Sequence, residues 1–121
     1  MKKHILIVDD EKEIRELLGE FLAQFGYRVT GASTAIEAQR VIASDPPQLM
    51  ISDLQLEDSD GLDMIQACKA IKPDLPVLLL TGILFDPEVV RDTLSKKVES
   101  YLHKTASLER IVAEVRRLLG D

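Results

Sequence analysis

Residues 49–61 read LMISDLQLEDSDG. Leu49, Met50 and Ile51 lead through Ser52 into Asp53. An apolar run this short, bounded by charge, reads as a strand buried on both faces. Four acids then fall within the eight residues from Asp53 to Asp60. They can be a solvated acidic loop, a calcium loop, or one reactive carboxylate with ordinary neighbours. The calcium reading fails on spacing. An EF-hand loop with its glycine at Gly61 would put Leu56 at the first ligand position and Ala67 at the last, and neither can ligate.

Working outward, the same arrangement recurs. Ile5–Val8 is a β-branched and Leu run that ends on Asp9 and Asp10. Tyr27–Ala32 reads as a second strand. Pro76–Leu80 (PVLLL) is a fourth, ending at Thr81 and Gly82, and Ser100–His103 is a short fifth before Lys104. Helical periodicity fills the gaps. Ile14, Leu17, Leu18, Phe21, Leu22 and Phe25 recur at helical spacing, with Gly26 as a stop. Thr34–Ala43 carries Ala38, Val41 and Ile42, and Asp45-Pro46-Pro47 breaks it. Gly61–Lys72 carries Leu62, Ile65, Cys68 and Ile71, and Pro73 stops it. Asp86 and Pro87 form an N-cap and first-position pair. The helix they open is the weakest, with only Val90 and Leu94 as an apolar stripe. Ser107 caps a last helix with Leu108, Ile111, Val112, Val115, Leu118 and Leu119 on one face.

This is a (βα)5 pattern, so an α/β fold with a parallel sheet covered on both faces is expected. Right-handed crossovers make it an open doubly wound sheet. Ligands of such sheets sit beyond the carboxyl ends of the strands, where the strand order reverses.

The totals agree with one domain. The chain has 121 residues, 45% apolar and 30% charged, and residues 1–121 are read as a single unit with one core. Net charge is −6. Residues 1–63 hold 13 acids against 6 bases, whereas the remainder holds 8 against 9. The acid excess therefore lies with the opening motif. Such a domain is a poor direct binder of nucleic acid, whose phosphates it would repel. Cys68 is the only cysteine, which excludes an intrachain disulfide and makes a cytoplasmic protein the simple reading. The apolar run Ile5–Val8 is too short for the core of a signal peptide, and no segment is long enough to cross a membrane.

The strand ends now form a candidate site. Asp9 and Asp10 follow the first strand, Asp53 the third, Thr81 the fourth and Lys104 the fifth. Singly, each has a plain explanation. Asp10 can cap a helix, Thr81 is a β-former and Lys104 is a surface charge. Gathered at one end of one sheet, they suggest chemistry. Clustered carboxylates repel one another and invite a hard divalent cation, and Mg²⁺ takes oxygen ligands while keeping several waters. Aspartate can act as a nucleophile toward phosphorus. Phosphoryl transfer asks mainly for positioning and charge neutralisation. Mg²⁺ would take one phosphoryl oxygen, Lys104 a second, and the Thr81 hydroxyl or a nearby amide a third. Asp53 is the expected nucleophile because it ends the central strand, with the metal-binding acids on one side and Lys104 on the other.

In order, IL-IVDDEKEIRELL, SDLxLxxxDG, LLLTG and YLHK resemble the receiver domain of two-component response regulators, over essentially the whole chain. Any one piece is weak; the five positions together are specific. The resemblance implies a flavodoxin-like fold with strand order 2-1-3-4-5. It implies Mg²⁺ held by Asp10 and Asp53 directly, by the Gln55 backbone carbonyl, and by Asp9 through water. It implies that a sensor histidine kinase or a histidine phosphotransfer protein phosphorylates Asp53. Thr81 would turn toward the phosphoryl group and Tyr101 would move inward behind it. That remodels the face formed by the fourth helix, fifth strand and fifth helix, where an output partner or domain is read. Glu57, Asp58 and Asp60 would then face solvent, with Gly61 opening the third helix or relieving a tight turn. A homodimer through the remodelled face is open, but no residue points to it. No effector domain follows Asp121, so the expectation is a stand-alone receiver or the front of a longer regulator.

Three positions depart from the family pattern. Glu57 stands where the family usually has proline, which would loosen the loop and make the pocket more acidic. Thr105 stands where proline usually follows the lysine, so either a trans Lys104–Thr105 bond or a strained loop is expected, and the aim of Lys104 is less fixed than in the family. LSKKVES, ahead of Tyr101, lacks the usual Ala-Gly. Gln55 and Ile83, two residues after Asp53 and Thr81, fall at positions that, by the resemblance, would tune water access to the acyl phosphate. Ile83 cannot orient a water, so dephosphorylation by the domain itself should be slow, and the protein is a phosphoryl acceptor rather than an enzyme. Two alternatives stand beside this reading. One is a phosphorylation-independent adaptor with a receiver fold, kept open by Glu57 and Thr105. The other is a haloacid-dehalogenase-type phosphatase, which resembles DxDxT at its nucleophile; here Asp53 is followed by Leu-Gln-Leu-Glu, and the second Asp is missing.

Overall fold

The computed structural model describes residues 2–121. Its elements are β1 (His4–Val8), α1 (Lys12–Gln24), β2 (Arg28–Ala32), α2 (Ala35–Ser44), β3 (Leu49–Ser52), α3 (Gly61–Ile71), β4 (Val77–Thr81), α4 (Pro87–Asp92), a 3₁₀ turn at Leu94–Lys96, β5 (Ser100–His103) and α5 (Leu108–Leu119). The strands form one parallel sheet in the order 2-1-3-4-5. The doubly wound parallel sheet is the one expected from the alternation of runs, and its strand order is the flavodoxin-like one that the family resemblance implied.

Why the apolar runs fail to alternate is plain from burial. Every residue of β1, β3 and β4 is buried, because helices cover both faces. Odd and even positions simply serve different cores. Leu6, Val8, Met50 and Leu79 join Ala38 and Ile42 of α2 and Ile65 and Cys68 of α3. Ile5, Ile7, Leu49, Ile51, Leu78 and Leu80 join Leu18 and Leu22 of α1 and Ile111, Val112 and Val115 of α5. Each fully buried aliphatic side chain contributes roughly 1.5–3 kcal/mol. The three from α5 alone therefore matter on the scale of a domain's net stability, about 5–15 kcal/mol.

Local signals set the boundaries. Thr34 Oγ1 accepts from Glu37 N, Asp60 Oδ1 from Leu62 N, and Ser107 Oγ from Arg110 N; each satisfies an amide that the first helical turn leaves free. Gly26 and Gly120 take φ of 88° and 73° after α1 and α5, the left-handed conformation that ends helices at glycine.

The fourth helix departs from the single span expected after Asp86-Pro87. Pro87 does start it, but α4 ends at Asp92 and Leu94 belongs to the separate 3₁₀ turn. No residue of α4 is fully buried, whereas Leu94 is. A two-residue stripe gives a longer helix too little to pack. The α1 stripe is also narrower than its periodicity suggests: Leu17 and Phe25 are about half exposed. Among the described residues, no helix is long and apolar enough to cross a membrane.

Strand register positions the site. Val8 lies opposite both Ala32 and Ser52, and Thr81 opposite His103. Asp53 N donates to Val8 O at 3.1 Å and Asp9 N to Ala32 O at 3.1 Å. The first residues past β1 and β3 are thereby level. The chain reverses its direction of winding between these two strands, and the crevice opens there.

Candidate functional site

Asp9 and Asp53 are buried at the carboxyl ends of β1 and β3, and Asp10 beside them is exposed. Carboxylate oxygens of the three lie within 4.8 Å of one another. At an effective dielectric constant near 20, two like charges that close repel by roughly 3.5 kcal/mol before solvent screening. One cation is already present. Lys104 Nζ donates to Asp53 Oδ2 at 2.9 Å, lies 3.1 Å from Asp9 Oδ2, and is 3.7 Å from Glu11 at the rim. Burial works against the Lys104 ammonium, but its bonds to Asp53 and Asp9 outweigh burial and hold its pKa above the ordinary lysine range. For Asp9, burial wins. It raises the carboxyl above its usual range despite the Glu11 amide and the Lys104 ammonium, and the neighbouring Asp53 adds to the rise.

Backbone contacts fix the two buried carboxylates. Asp53 Oδ1 accepts from Leu54 N at 2.7 Å, and Asp9 Oδ1 from Glu11 N at 2.9 Å. Asp10 does not cap α1. The N-cap position is Glu11, without a side-chain cap bond, so the capping explanation for Asp10 is set aside. Three carboxyl groups thus cluster together, with Lys104 Nζ against two of them and Glu11 at the rim, and all the side-chain ligand atoms are oxygen. That donor set suits Mg²⁺, a hard cation that favours oxygen ligands. Gln55 lies in the loop just past Asp53, bridged to Asp60; its expected ligand is a backbone carbonyl.

Thr81 is buried at the end of β4, and its Oγ1 accepts from Ile83 N at 3.2 Å. Tyr101 is half-buried on β5. Its hydroxyl donates to Ile83 O at 2.9 Å, and its ring meets Phe85 edge-on at 5.9 Å. The two residues expected to switch are therefore joined through the two peptide groups of a single residue, Ile83.

The loop after Asp53 is tied down more firmly than its acidic sequence suggests. Asp58 and Asp60 are exposed, as expected, but both carry structure. Asp58 reaches α2, where its carboxylate accepts from Ala35 N at 2.8 Å and Ile36 N at 3.2 Å. Those amides lower its pKa. Asp60 caps α3, a role legible from an Asp directly before an apolar periodic run. The Asp58 contact spans 23 residues and leaves no local pattern. Gly61 does more than open a helix. Its N–H donates to Leu54 O at 2.7 Å, and a Cβ there would sit 2.5 Å from Leu54 Cα, 2.7 Å from Leu54 O and closer still to the Asp53 carbonyl. Arg15 was not singled out by its sequence context either. It donates from Nη1 to the Asp9 carbonyl at 2.6 Å, while its stem lies over Gly31. At the other departure, no peptide bond among the described residues is cis, so Lys104–Thr105 is trans.

Comparison with known proteins bears directly on this arrangement. Residues 5–116 match the family model described as the response regulator receiver domain. The response regulator MprA of Mycobacterium ulcerans is 35% identical over 126 residues, covering 98% of this chain and 51% of its own length. The chain thus spans about half the length of the curated relatives it matches. Among solved structures, the non-phosphorylated HemR receiver domain from Leptospira biflexa is 29% identical with a TM-score of 0.87, covering 99% of this chain and 96% of that one. A CheY-like receiver domain protein from Methanospirillum hungatei is 25% identical with a TM-score of 0.90, covering 99% and 95%. With the strand order and a family match across nearly its whole length, the chain belongs to the response regulator receiver domain family of two-component signalling.

Proposed function

We propose that this domain accepts a phosphoryl group on Asp53 from a sensor histidine kinase or a histidine phosphotransfer protein, with Mg²⁺ bound at Asp9, Asp10, Asp53 and the Gln55 carbonyl. The observation that carries the reading is the buried Asp53 carboxylate, set among two further acids with Lys104 Nζ at 2.9 Å. An Asp53 oxygen attacks phosphorus and forms the O–P bond of an acyl phosphate. The donor's P–N bond breaks, and its electron pair returns to the imidazole nitrogen. Mg²⁺, when bound, neutralises charge on the phosphoryl oxygens. Lys104 balances a second share, and Leu54 N orients the attacking carboxylate.

The product carries about −1.5 to −2 added charges, and a switch needs a two-state element that this charge can bias. Thr81 turning toward the phosphoryl group would release Ile83 N, and Tyr101 moving inward would release Ile83 O. The α4-β5-α5 face would then be remodelled for an output domain or partner. With a net charge of −6 the domain itself makes no direct nucleic-acid contact, and we place it in the cytoplasm. It is a phosphoryl acceptor rather than an enzyme, since apolar Ile83 gives a hydrolytic water no partner. An Ile83→Glu variant that loses phosphate no faster than wild type would count against that last point.

The direct test is incubation with acetyl phosphate, with and without Mg²⁺, followed by intact mass, alongside Asp53→Asn. A Mg²⁺-dependent gain of one phosphoryl group, absent in the variant, is expected. No gain, with acetyl phosphate or with a cognate kinase, would favour a phosphorylation-independent adaptor.

A further inference from the structure

Lys104 has to deliver its ammonium to Asp53 from the end of a flexible four-carbon stem. Its direction is set where the stem leaves the backbone. Lys104 and Thr105 are the two central residues of a turn closed by Ala106 N donating to His103 O at 2.9 Å. Nothing in the covalent chain restrains this turn, because Thr105 is not a proline and its bond to Lys104 is trans.

The imidazole of His103 closes the turn a second time. Thr105 N lies 3.2 Å from His103 Nδ1, and Thr105 Oγ1 lies 2.7 Å from the same nitrogen. On the far side of the ring, Nε2 lies 3.0 Å from Gly82 O. The partners dictate the tautomer. A backbone amide can only donate and a carbonyl can only accept. Nδ1 is therefore the bare acceptor, the Thr105 hydroxyl donates to it, and Nε2 carries the proton that goes to Gly82 O. A side-chain acceptor taking the amide two residues on is also how Asp and Asn stabilise turns.

The ring thus links the two loops that flank the phosphoacceptor pocket. One carries Lys104, whose own N–H donates to Thr81 O at 2.8 Å. The other begins at Thr81 and Gly82. His103 and Tyr101 are two residues apart on β5 and share a face. Between them they hold the consecutive carbonyls of Gly82 and Ile83.

We infer that His103 and Thr105 are positioning residues for phosphoryl acceptance: the neutral imidazole, bridging Thr105 and Gly82, fixes the turn that aims Lys104 at Asp53. The inference rests on Asp53 being the phosphoacceptor. Neither residue touches the reacting atoms; both act through Lys104. An aim set at the turn matters because misplacing a reacting or charge-balancing group by about 1 Å can slow a reaction by as much as a hundredfold.

The test uses His103→Phe, which keeps a ring without nitrogens; Thr105→Val, which keeps shape and amide but loses the hydroxyl; and Thr105→Ser, which restores the hydroxyl. Two measurements are made. Ring ¹⁵N shifts report the His103 tautomer in the wild type. Intact mass against time, with saturating phosphoramidate and Mg²⁺, reports the phosphorylation rate, with Mg²⁺ affinity and melting temperature measured on every variant. The expected result is an Nε2–H ring, a rate about tenfold lower in His103→Phe and several-fold lower in Thr105→Val, and recovery in Thr105→Ser. Mg²⁺ affinity stays the same, because Asp9, Asp10 and Asp53 are untouched. A ring protonated on Nδ1, or unchanged rates in both variants while the wild type takes up phosphate, overturns the inference. Rates that fall only in step with melting temperature or Mg²⁺ affinity overturn it as well, since a merely structural role would do that. A wild type that gains no phosphoryl group overturns the phosphoacceptor reading itself, and this inference with it.

Discussion

Gly61→Ala probes how the fold holds the phosphoacceptor. The added methyl would meet backbone on three sides: Leu54 Cα at 2.5 Å, Leu54 O at 2.7 Å and the Asp53 carbonyl. An ordinary contact begins at 3.4 Å, so the loop and the start of α3 must part by about 1 Å. Backbone cannot rotate aside as a flexible side chain can. Overpacking of this kind costs roughly 1–3 kcal/mol. The Gly61 N–H bond to Leu54 O is strained or lost, at a cost of about 1 kcal/mol. Alanine's better helix propensity returns up to about 1 kcal/mol. The net expectation is a loss of about 2 kcal/mol, or a fall in melting temperature of about 8 °C for a domain of this size. The displaced atoms belong to the peptide that follows Asp53, so function should suffer beyond stability. Phosphorylation by acetyl phosphate, at a temperature where the variant is fully folded, should slow by at least tenfold. Thermal unfolding followed by circular dichroism and intact mass against time are the two assays. A variant with wild-type melting temperature and wild-type rate would refute the account of Gly61 as a close-approach position.

Three further outcomes are expected. Gly19→Ala should have the opposite sign: Gly19 lies inside α1, and its Cβ would sit 3.6 Å from Val29 Cγ1 of β2, an ordinary contact, so urea unfolding should show a gain of about 0.5–1 kcal/mol. Asp9→Asn should be more stable than wild type in Mg²⁺-free buffer at pH 7. Burial raises the folded-state pKa of Asp9, so its stabilising contribution is present at acid pH and is lost as pH rises through that folded value. The advantage of the variant should therefore grow from the ordinary carboxylate range toward neutrality, and urea midpoints between pH 4 and 7 that show no such growth would contradict it. Asp58→Ala removes the acceptor for Ala35 N and Ile36 N; hydrogen exchange at those two amides should speed up, with β3 unaffected.

Much of this molecule was legible in order along the chain. ILIV, LMIS and PVLLL announce buried strands because residues covered on both faces need no polar alternation. Asp9, Asp10, Asp53, Thr81 and Lys104 could be picked out because parallel strands separated by helices bring every carboxyl end to one edge. Ser107 and the α5 stripe were equally plain, since a cap and a 3.6-residue period are local signals. The break of the fourth helix was foreshadowed only as weakness, because two apolar residues do not say where a helix will fail. Other features depend on residues that meet only after folding. Asp58 looked like a solvated acid and turned out to cap a helix 23 residues upstream. Gly61 looked like a helix opening or the relief of a tight turn, and its need for a bare Cα comes from the Asp53–Leu54 backbone crossing over it. Thr105 looked like a lost proline, and its amide and hydroxyl instead meet a histidine whose other nitrogen rests on a different loop. Periodicity and strand ends are written in the sequence because they arise from the chain's own repeat. Contacts between loops are decided by the tertiary structure, because their geometry comes from strand register and helix packing rather than from neighbouring residues.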